Sequence, residues 1–372
     1  MQKNSTFYWL IFCLFSTLKF HAQSGHVLYG EREQKSTNTA IFFDKEGFLY
    51  PNYFISDSSL DSCNSSLRNW YSAHQRSFLT ISKAYNCSFS MFNAENCSTL
   101  NDSIAAYYST EINRIKHEYT SVTFLIHGFR KSFDAQNGDI SSPLSFQNIK
   151  KSITEIQPSN TNFVEIYWDG MYDCCFSASA KNNQPLFQLY LKAQENAALV
   201  GQSLKKILTS MHYDTIHIFS HSLGAKVALH ALLDIENNNS PTPSNQNINI
   251  CLIAPAISAD LIDQHYYQRH SSCDYKSKDN YRLVIIYNEK DFALRKKDNK
   301  LLLFGPGPYE YGNTSLGCNY KNAAFLLKED FLVKFTNSPL EILDFSAIGK
   351  QHHLENYCSS EKWEVLLRTI YK

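Results

Sequence analysis

Apolar residues follow two spacings along the chain, and these spacings predict strands and helices in alternation. Short apolar runs rich in β-branched residues, typical of buried parallel strands, occupy 122–126, 162–168, 216–219, 248–253, 281–287 and 341–345. Apolar residues at helical spacing occupy 99–119, 145–156, 185–211, 225–233 and 359–371. This alternation predicts an α/β fold with a mostly parallel central sheet, right-handed crossovers and helices on both faces.

The part of the chain before residue 120 has a different pattern. The apolar runs at 39–54 predict a hairpin, whereas residues 55–100 are rich in serine, asparagine and cysteine. We therefore expect residues 23–119 to form a hairpin and a cysteine-rich extension, packed on a core formed by residues 120–372.

The first 22 residues have the pattern of a secretory signal peptide. Lys3 supplies the positive end, and an apolar run at 7–18 follows it. This run is too short to span a bilayer, which needs roughly 20 residues. We expect cleavage after Ala22, so the protein is predicted to be secreted or periplasmic.

Ten cysteines are present, and only Cys13 lies within the apolar run of the signal segment. In an exported chain the other nine favour disulfides, with at least one cysteine left unpaired. Cys87 and Cys97 are among the strongest candidates for disulfide partners, but the sequence does not give the connectivity. No Cys-x-x-Cys sequence or Cys/His cluster has the spacing of a zinc site, so neither a metal nor a cofactor is expected.

Charge does not point to a polyanionic partner, because 35 acidic residues balance 35 basic ones. Nucleic acid is therefore not expected as a partner. Hydrophobic residues make up 43% of the 372 positions, enough for the large core of an α/β domain.

The run at 216–219 leads into Ser220-His221-Ser222-Leu223-Gly224, and an apolar helix pattern follows at once. This is the Gly-x-Ser-x-Gly nucleophile elbow with a serine at its first position. A sharp strand-to-helix turn would present the Ser222 hydroxyl as a nucleophile. The alternative is that Ser222 only caps the helix.

Acyl transfer also needs two amides that bind the oxyanion. The amide after the nucleophile, that of Leu223, would be one of them. The run at 122–126 ends at His127-Gly128-Phe129, where a glycine lets the backbone approach a ligand closely. The second amide is therefore expected from Phe129.

An acid and a base should follow the serine, in the order Ser, Asp, His. Asp291 comes shortly after the run at 281–287 and is the preferred acid. The other acid candidates are Asp260, Asp263 and Asp344. The base candidates are His352 and His353, which lie together in the last loop before the last helix.

These residues resemble the α/β-hydrolase superfamily and, within it, lipases related to pancreatic lipase. The similar segments are His127-Gly128-Phe129, the pattern from Tyr190 to Gly201, the elbow, and His353-Leu354-Glu355-Asn356-Tyr357. The resemblance implies oxyanion amides at Phe129 and Leu223, and it favours His353 over His352 as the base.

One segment departs from the pancreatic-type pattern. Those lipases carry their acid in the segment that here reads Ile253-Ala254-Pro255-Ala256, and alanine cannot orient a histidine. The acid must then come from the next strand, which favours Asp291. That placement is similar to bacterial α/β-hydrolases of unknown function.

The sequence thus predicts an exported serine hydrolase that cleaves carboxylic esters with Ser222, His353 and Asp291. Its substrate would be a small-molecule or lipid ester, and any contact with a lipid surface would be peripheral. An amidase or peptidase would use the same residues. A secreted binding protein on an inactive hydrolase scaffold is an alternative of a different class.

Overall fold

The structure is a computed structural model that describes residues 39–51, 66–129, 142–156, 161–168, 170, 184–232, 246–259, 281–294, 316–334 and 339–371. The strands are β1 (Thr39–Phe43), β2 (Ser121–Ile126), β3 (Thr161–Trp168), β4 (Thr215–His221), β5 (Asn247–Ile253), β6 (Tyr281–Tyr287) and β7 (Leu340–Asp344). The helices are α1 (Leu67–Ala73), α2 (Gln75–Ala84), α3 (Ala94–Arg114), α4 (Ser142–Ile156), α5 (Gln184–Leu208), α6 (Gly224–Leu232), α7 (Ala323–Lys334), α8 (Leu354–Cys358) and α9 (Glu361–Ile370).

The seven strands form one sheet in the order β1-β3-β2-β4-β5-β6-β7, and every pair is parallel. Ile216, Ile218 and Phe219 on β4 are almost fully buried. Burial on both faces explains why the strands read as continuous apolar runs rather than as alternating ones. The predicted α/β-hydrolase fold is therefore confirmed.

Six of the helices cover the sheet in two groups, and the helices of each group contact one another. One group contains α3, α5 and α6, and the other contains α4, α8 and α9. Within the second group, α9 packs on one face of β4, where the Phe219 ring lies 6.2 Å from those of Trp363 and Tyr371.

A partly buried polar cluster joins the amino-terminal ends of the strands to the end of α9. Asn249 and Arg282 donate hydrogen bonds to the carbonyls of Ile370 and Thr369, which end that helix. The same Asn249 amide donates to Nδ1 of His217 at 3.2 Å, beside the Tyr371 ring. These contacts satisfy helix-end carbonyls that would otherwise be buried without partners.

The opposite edge of the sheet brings the predicted functional segments together. Parallel register aligns Ile126 with Ser220, and His221 with Ile253. The turns that follow β2, β4, β5 and β6 therefore leave the sheet side by side, at the carboxyl edge where α/β proteins bind their ligands.

The predicted hairpin is present as a short antiparallel turn, in which the Asp44 amide donates to the Phe48 carbonyl and the Tyr50 amide to the Phe42 carbonyl, both at 2.9 Å. β1 pairs with β3 in parallel, and its return arm forms only an isolated bridge between Phe43 and Leu49. The Asp44 carboxylate accepts hydrogen bonds from three backbone amides, including that of Leu67, and so ties this turn to α1. The first strand is thus an edge strand of the main sheet.

The two favoured disulfide candidates, Cys87 and Cys97, form no disulfide in this structure. Among the described residues, Cys87, Cys97, Cys251 and Cys358 are free thiols. The Cys87 thiol lies 3.1 Å from the Ser103 hydroxyl. Ser103 lies six positions after Cys97, a rise of about 9 Å along α3.

Two further predictions lie outside the described residues, namely the signal segment 1–22 and the candidate acids Asp260 and Asp263. Among the helices that are described, none combines the length and the apolar character needed to cross a membrane.

Candidate active site

The elbow forms between β4 and α6, as the sequence predicts. Ser222 has a φ of 53°, in the left-handed region that non-glycine residues rarely adopt, and its amide donates to the Ile253 carbonyl at 2.9 Å. A Cβ on Gly224 would lie 2.5 Å from the His127 carbonyl oxygen, so only glycine fits there. The turn is therefore strained, packed against the end of β2, and held by the neighbouring strand.

Three side chains form an unbroken hydrogen-bonded chain at this turn. The Nδ1 atom of His352 lies 2.7 Å from Oδ2 of Asp291, and its Nε2 atom lies 3.1 Å from Oγ of Ser222. Because the carboxylate can only accept, Nδ1 carries the proton and Nε2 is free to accept one from the serine. This is the geometry of a nucleophile, a general base and an orienting acid.

Asp291 is fully buried, and four donors surround its carboxylate. The amides of Ala293 and Leu294 donate to Oδ1, at 2.8 and 3.0 Å. The Tyr357 hydroxyl donates to Oδ2 at 3.3 Å, beside the histidine. Burial, and then the neighbouring carboxylate, raise the pKa of Tyr357 well above its usual range, so the phenol keeps its proton and acts as a donor.

The structure corrects the choice between the two histidines, because His352 and not His353 contacts Ser222 and Asp291. His353 is the N-cap residue of α8, with an extended φ of −68° and ψ of 138°. Neighbouring side chains in extended backbone point to opposite sides, so only one of the pair can face the serine. The His353 ring lies instead 6.1 Å from that of Phe292.

The segment predicted to bind the oxyanion, residues 127–129, runs directly beside Ser222. A Cβ on Gly128 would lie 2.8 Å from Cβ of Ser222, so the backbone leading to Phe129 touches the elbow. Leu223, which follows the serine, is buried in the same turn. The amides of Phe129 and Leu223 therefore belong to the two segments that meet at Ser222.

His127 fixes the conformation of that oxyanion segment. Its Nδ1 atom donates to the Gly128 carbonyl at 2.8 Å, and Nε2 accepts from the Trp168 amide at 3.1 Å. The Trp168 indole donates in return to the His127 carbonyl at 2.9 Å. The neighbouring strand β3 thus holds the turn after β2.

The other described acid candidate does not contribute to the site. Asp344 is exposed at the end of β7, where its carboxylate accepts the Ser346 amide at 2.7 Å. At the lipase acid position, Ala254 is fully buried and also has a positive φ, of 45°. The strained turn after β5 is present, but the carboxylate comes from the turn after β6.

Sequence reasoning missed Tyr357 and Asn288, and it gave His221 no role in the site. Asn288 follows β6, and its side chain donates to the carbonyls of Gly349 and Gln351. Only its place at a strand end, three residues before Asp291, could have drawn attention to it. Among the described residues, no group of three or more His, Cys, Asp or Glu side chains could hold a metal ion.

Comparison with known proteins gives one family. Residues 104–298, just over half of the chain, match a family model described as "Alpha/beta hydrolase of unknown function (DUF900)". The matched range includes Ser222 and Asp291 and ends before His352. No curated protein matches the chain.

Proposed function

The chain belongs to this α/β-hydrolase family of unknown function, and we propose that it is a serine hydrolase that cleaves carboxylic esters. The observation that carries the proposal is the hydrogen-bonded chain from Asp291 through His352 to Ser222. A helix cap would not need an imidazole within hydrogen-bond distance of the serine. A fully buried carboxylate behind that imidazole favours catalysis over an inactive scaffold.

In the proposed reaction, Ser222 Oγ attacks the ester carbonyl carbon while His352 Nε2 takes the hydroxyl proton. Asp291 stabilises the imidazolium and holds its orientation. The amides of Phe129 and Leu223 donate to the carbonyl oxygen as it becomes negative. The imidazolium then protonates the departing alcohol, and a water activated by the same imidazole hydrolyses the acyl-enzyme.

An apolar surface beside the base supports an ester with an apolar group as the substrate. The Phe292 ring is 48% exposed and lies 6.3 Å from the His352 ring, edge to face. An exposed aromatic ring beside the catalytic histidine can contact the acyl or alcohol part of a substrate. Small-molecule esters and lipid esters both offer such a group.

Turnover of an ester panel tests this function. Wild-type protein should hydrolyse p-nitrophenyl esters of graded chain length, and Ser222→Ala should reduce the rate to background. Ser220→Ala is the matched control, because its buried hydroxyl has no hydrogen-bond partner among the described residues. Ester hydrolysis that survives Ser222→Ala, or a wild-type protein that hydrolyses neither esters nor amides, would contradict the proposal.

We also propose that the protein is exported, on the basis of the apolar run at 7–18 that follows Lys3. Amino-terminal sequencing of protein from the native host should begin at Gln23. A mature protein that keeps residues 1–22 and stays with the cytosol would overturn this assignment.

A further inference from the structure

The segment that carries His352 has no strand or helix of its own to hold it. It lies between a 3₁₀ turn at Ser346–Ile348 and α8. Gly349, with a φ of 79°, reverses the chain, and the Gln351 amide donates back to the Gly349 carbonyl at 2.8 Å. A tight turn of this kind does not by itself fix the imidazole against Ser222.

Two buried side chains from the sheet hold this segment by its carbonyl oxygens. Asn288 is fully buried, and its Nδ2 atom donates to the carbonyls of Gly349 and Gln351, both at 2.9 Å. His221 is 3% exposed, and its Nε2 atom lies 2.8 Å from the His352 carbonyl. Because a carbonyl only accepts, Nε2 of His221 carries the proton.

The origin of these two side chains links them to the proposed triad. His221 directly precedes Ser222 at the end of β4, and Asn288 lies three residues before Asp291, after β6. The strand end that carries Ser222 and the strand end that carries Asp291 therefore each provide a second side chain that contacts the segment of His352. The position of His352 is therefore set by the same two strands that carry Ser222 and Asp291.

The side chains of Asn288 and His221 are themselves held in place by neighbouring groups. The side-chain oxygen Oδ1 of Asn288 accepts the Lys290 amide at 2.9 Å, and the Asn288 backbone amide donates to the Gly317 carbonyl at 2.9 Å. The His221 ring lies 4.9 Å from the His352 ring, and a Cβ on Gly128 would lie 3.3 Å from its Nδ1 atom. His221 thus packs between the oxyanion segment and the base.

We propose that His221 and Asn288 are positioning residues that clamp residues 349–352, so that the His352 imidazole sits between Asp291 and Ser222. This inference rests on the proposed serine hydrolase function. A misplacement of about 1 Å can cost on the order of 100-fold in rate without any loss of substrate binding. The clamp should therefore act on kcat and leave KM nearly unchanged.

The test compares four variants of the full chain. His221→Leu removes the donor, and His221→Gln restores an N–H near the position of Nε2. Asn288→Asp keeps the size and the Oδ1 acceptor but replaces the Nδ2 donor by an oxygen. His217→Leu is the matched control, because His217 lies on the same strand with the same 3% exposure, at the end away from the site.

We expect His221→Leu and Asn288→Asp to lower kcat by roughly 10- to 100-fold. Both should also slow fluorophosphonate labelling of Ser222 by a similar factor. His221→Gln should recover most of the lost rate, and His217→Leu should keep the wild-type kcat even if its melting temperature falls.

The outcomes separate the clamp from the proposed function. If wild-type protein does not label at Ser222, the serine hydrolase function itself fails. If wild type labels and both clamp variants keep the wild-type kcat, the clamp inference alone is overturned. Losses of kcat that follow the melting temperature across all four variants, His217→Leu included, would show a structural role and also overturn it.

Discussion

At the scale of single residues, the site depends on how completely its buried polar atoms are satisfied. Asp291 can be buried because backbone amides, a phenol and an imidazole all donate to its two oxygens. A buried acceptor without such partners would cost on the order of 1–3 kcal/mol. The same donors fix the carboxylate, so it can orient His352 rather than move with it.

Replacing Asp291 by asparagine tests this role. The amide has the same shape but presents an N–H₂ or a weaker acceptor to Nδ1, which favours the wrong tautomer of His352. We expect turnover to fall by a factor on the order of 10⁴, with the fold retained by circular dichroism. Asp344→Asn, at an exposed carboxylate outside the site, should keep nearly full activity. Equal losses in the two variants would refute the assignment.

A second residue-scale prediction concerns acid stability. Burial lowers the pKa of His217 from 6.5 to about 3, so the folded state binds this proton less readily than the unfolded state. Its contribution to stability is therefore complete above pH 6.5 and is lost as the pH falls toward 3. Between pH 7 and pH 4, the wild type should lose about 3 kcal/mol more free energy of unfolding than His217→Leu. Parallel curves from urea titrations of the two proteins would disprove it.

At the scale of elements, hydrophobic spacing predicts the sheet well, because buried parallel strands are short apolar runs bounded by polar residues. The strand predicted at 281–287 has those bounds in the structure, and β2, β3 and β5 each begin one residue before the predicted run. The turn of the predicted hairpin is present, but the pairing of β1 with β3 was not predicted, because it spans more than 100 residues and local pattern does not encode it. Helices α1, α2 and α7 were missed, because α1 and α2 are short and lie in the serine- and asparagine-rich stretch, and the apolar residues of α7 form no single stripe.

The packing of α5 on α6 yields an element-scale prediction. A Cβ on Gly201 would lie 2.5 Å from Cβ of His230 and 2.7 Å from the Val227 carbonyl oxygen. Alanine normally favours a helix over glycine by about 1 kcal/mol, yet here the overlap should dominate. We expect Gly201→Ala to lower the free energy of unfolding by about 1–3 kcal/mol. Leu199→Ala, at an exposed position two residues away, should change it by less than about 0.5 kcal/mol. A stabilised Gly201→Ala would mean that the helices are further apart.

At the scale of the whole molecule, the site joins residues that are 130 positions apart in sequence. Ser222 and Asp291 could be predicted because each follows a clear strand, and the ends of parallel strands meet at one edge. The histidine that contacts Ser222 could not be chosen from sequence, because His352 and His353 occupy the same loop and the resemblance favoured His353. The directions of the two imidazole rings depend on the contacts of His221 and Asn288 with this loop and on the residue at which α8 begins. The sequence pattern does not encode either.

The central claim is that Ser222 is a nucleophile activated by His352. The most direct measurement is covalent labelling with a fluorophosphonate, mapped by peptide mass spectrometry in wild type, Ser222→Ala, His352→Ala and His353→Ala. We predict stoichiometric label on Ser222 in wild type, none in Ser222→Ala, labelling slowed by several orders of magnitude in His352→Ala, and a rate close to wild type in His353→Ala. Label on another residue, or a greater loss in His353→Ala than in His352→Ala, would contradict the account.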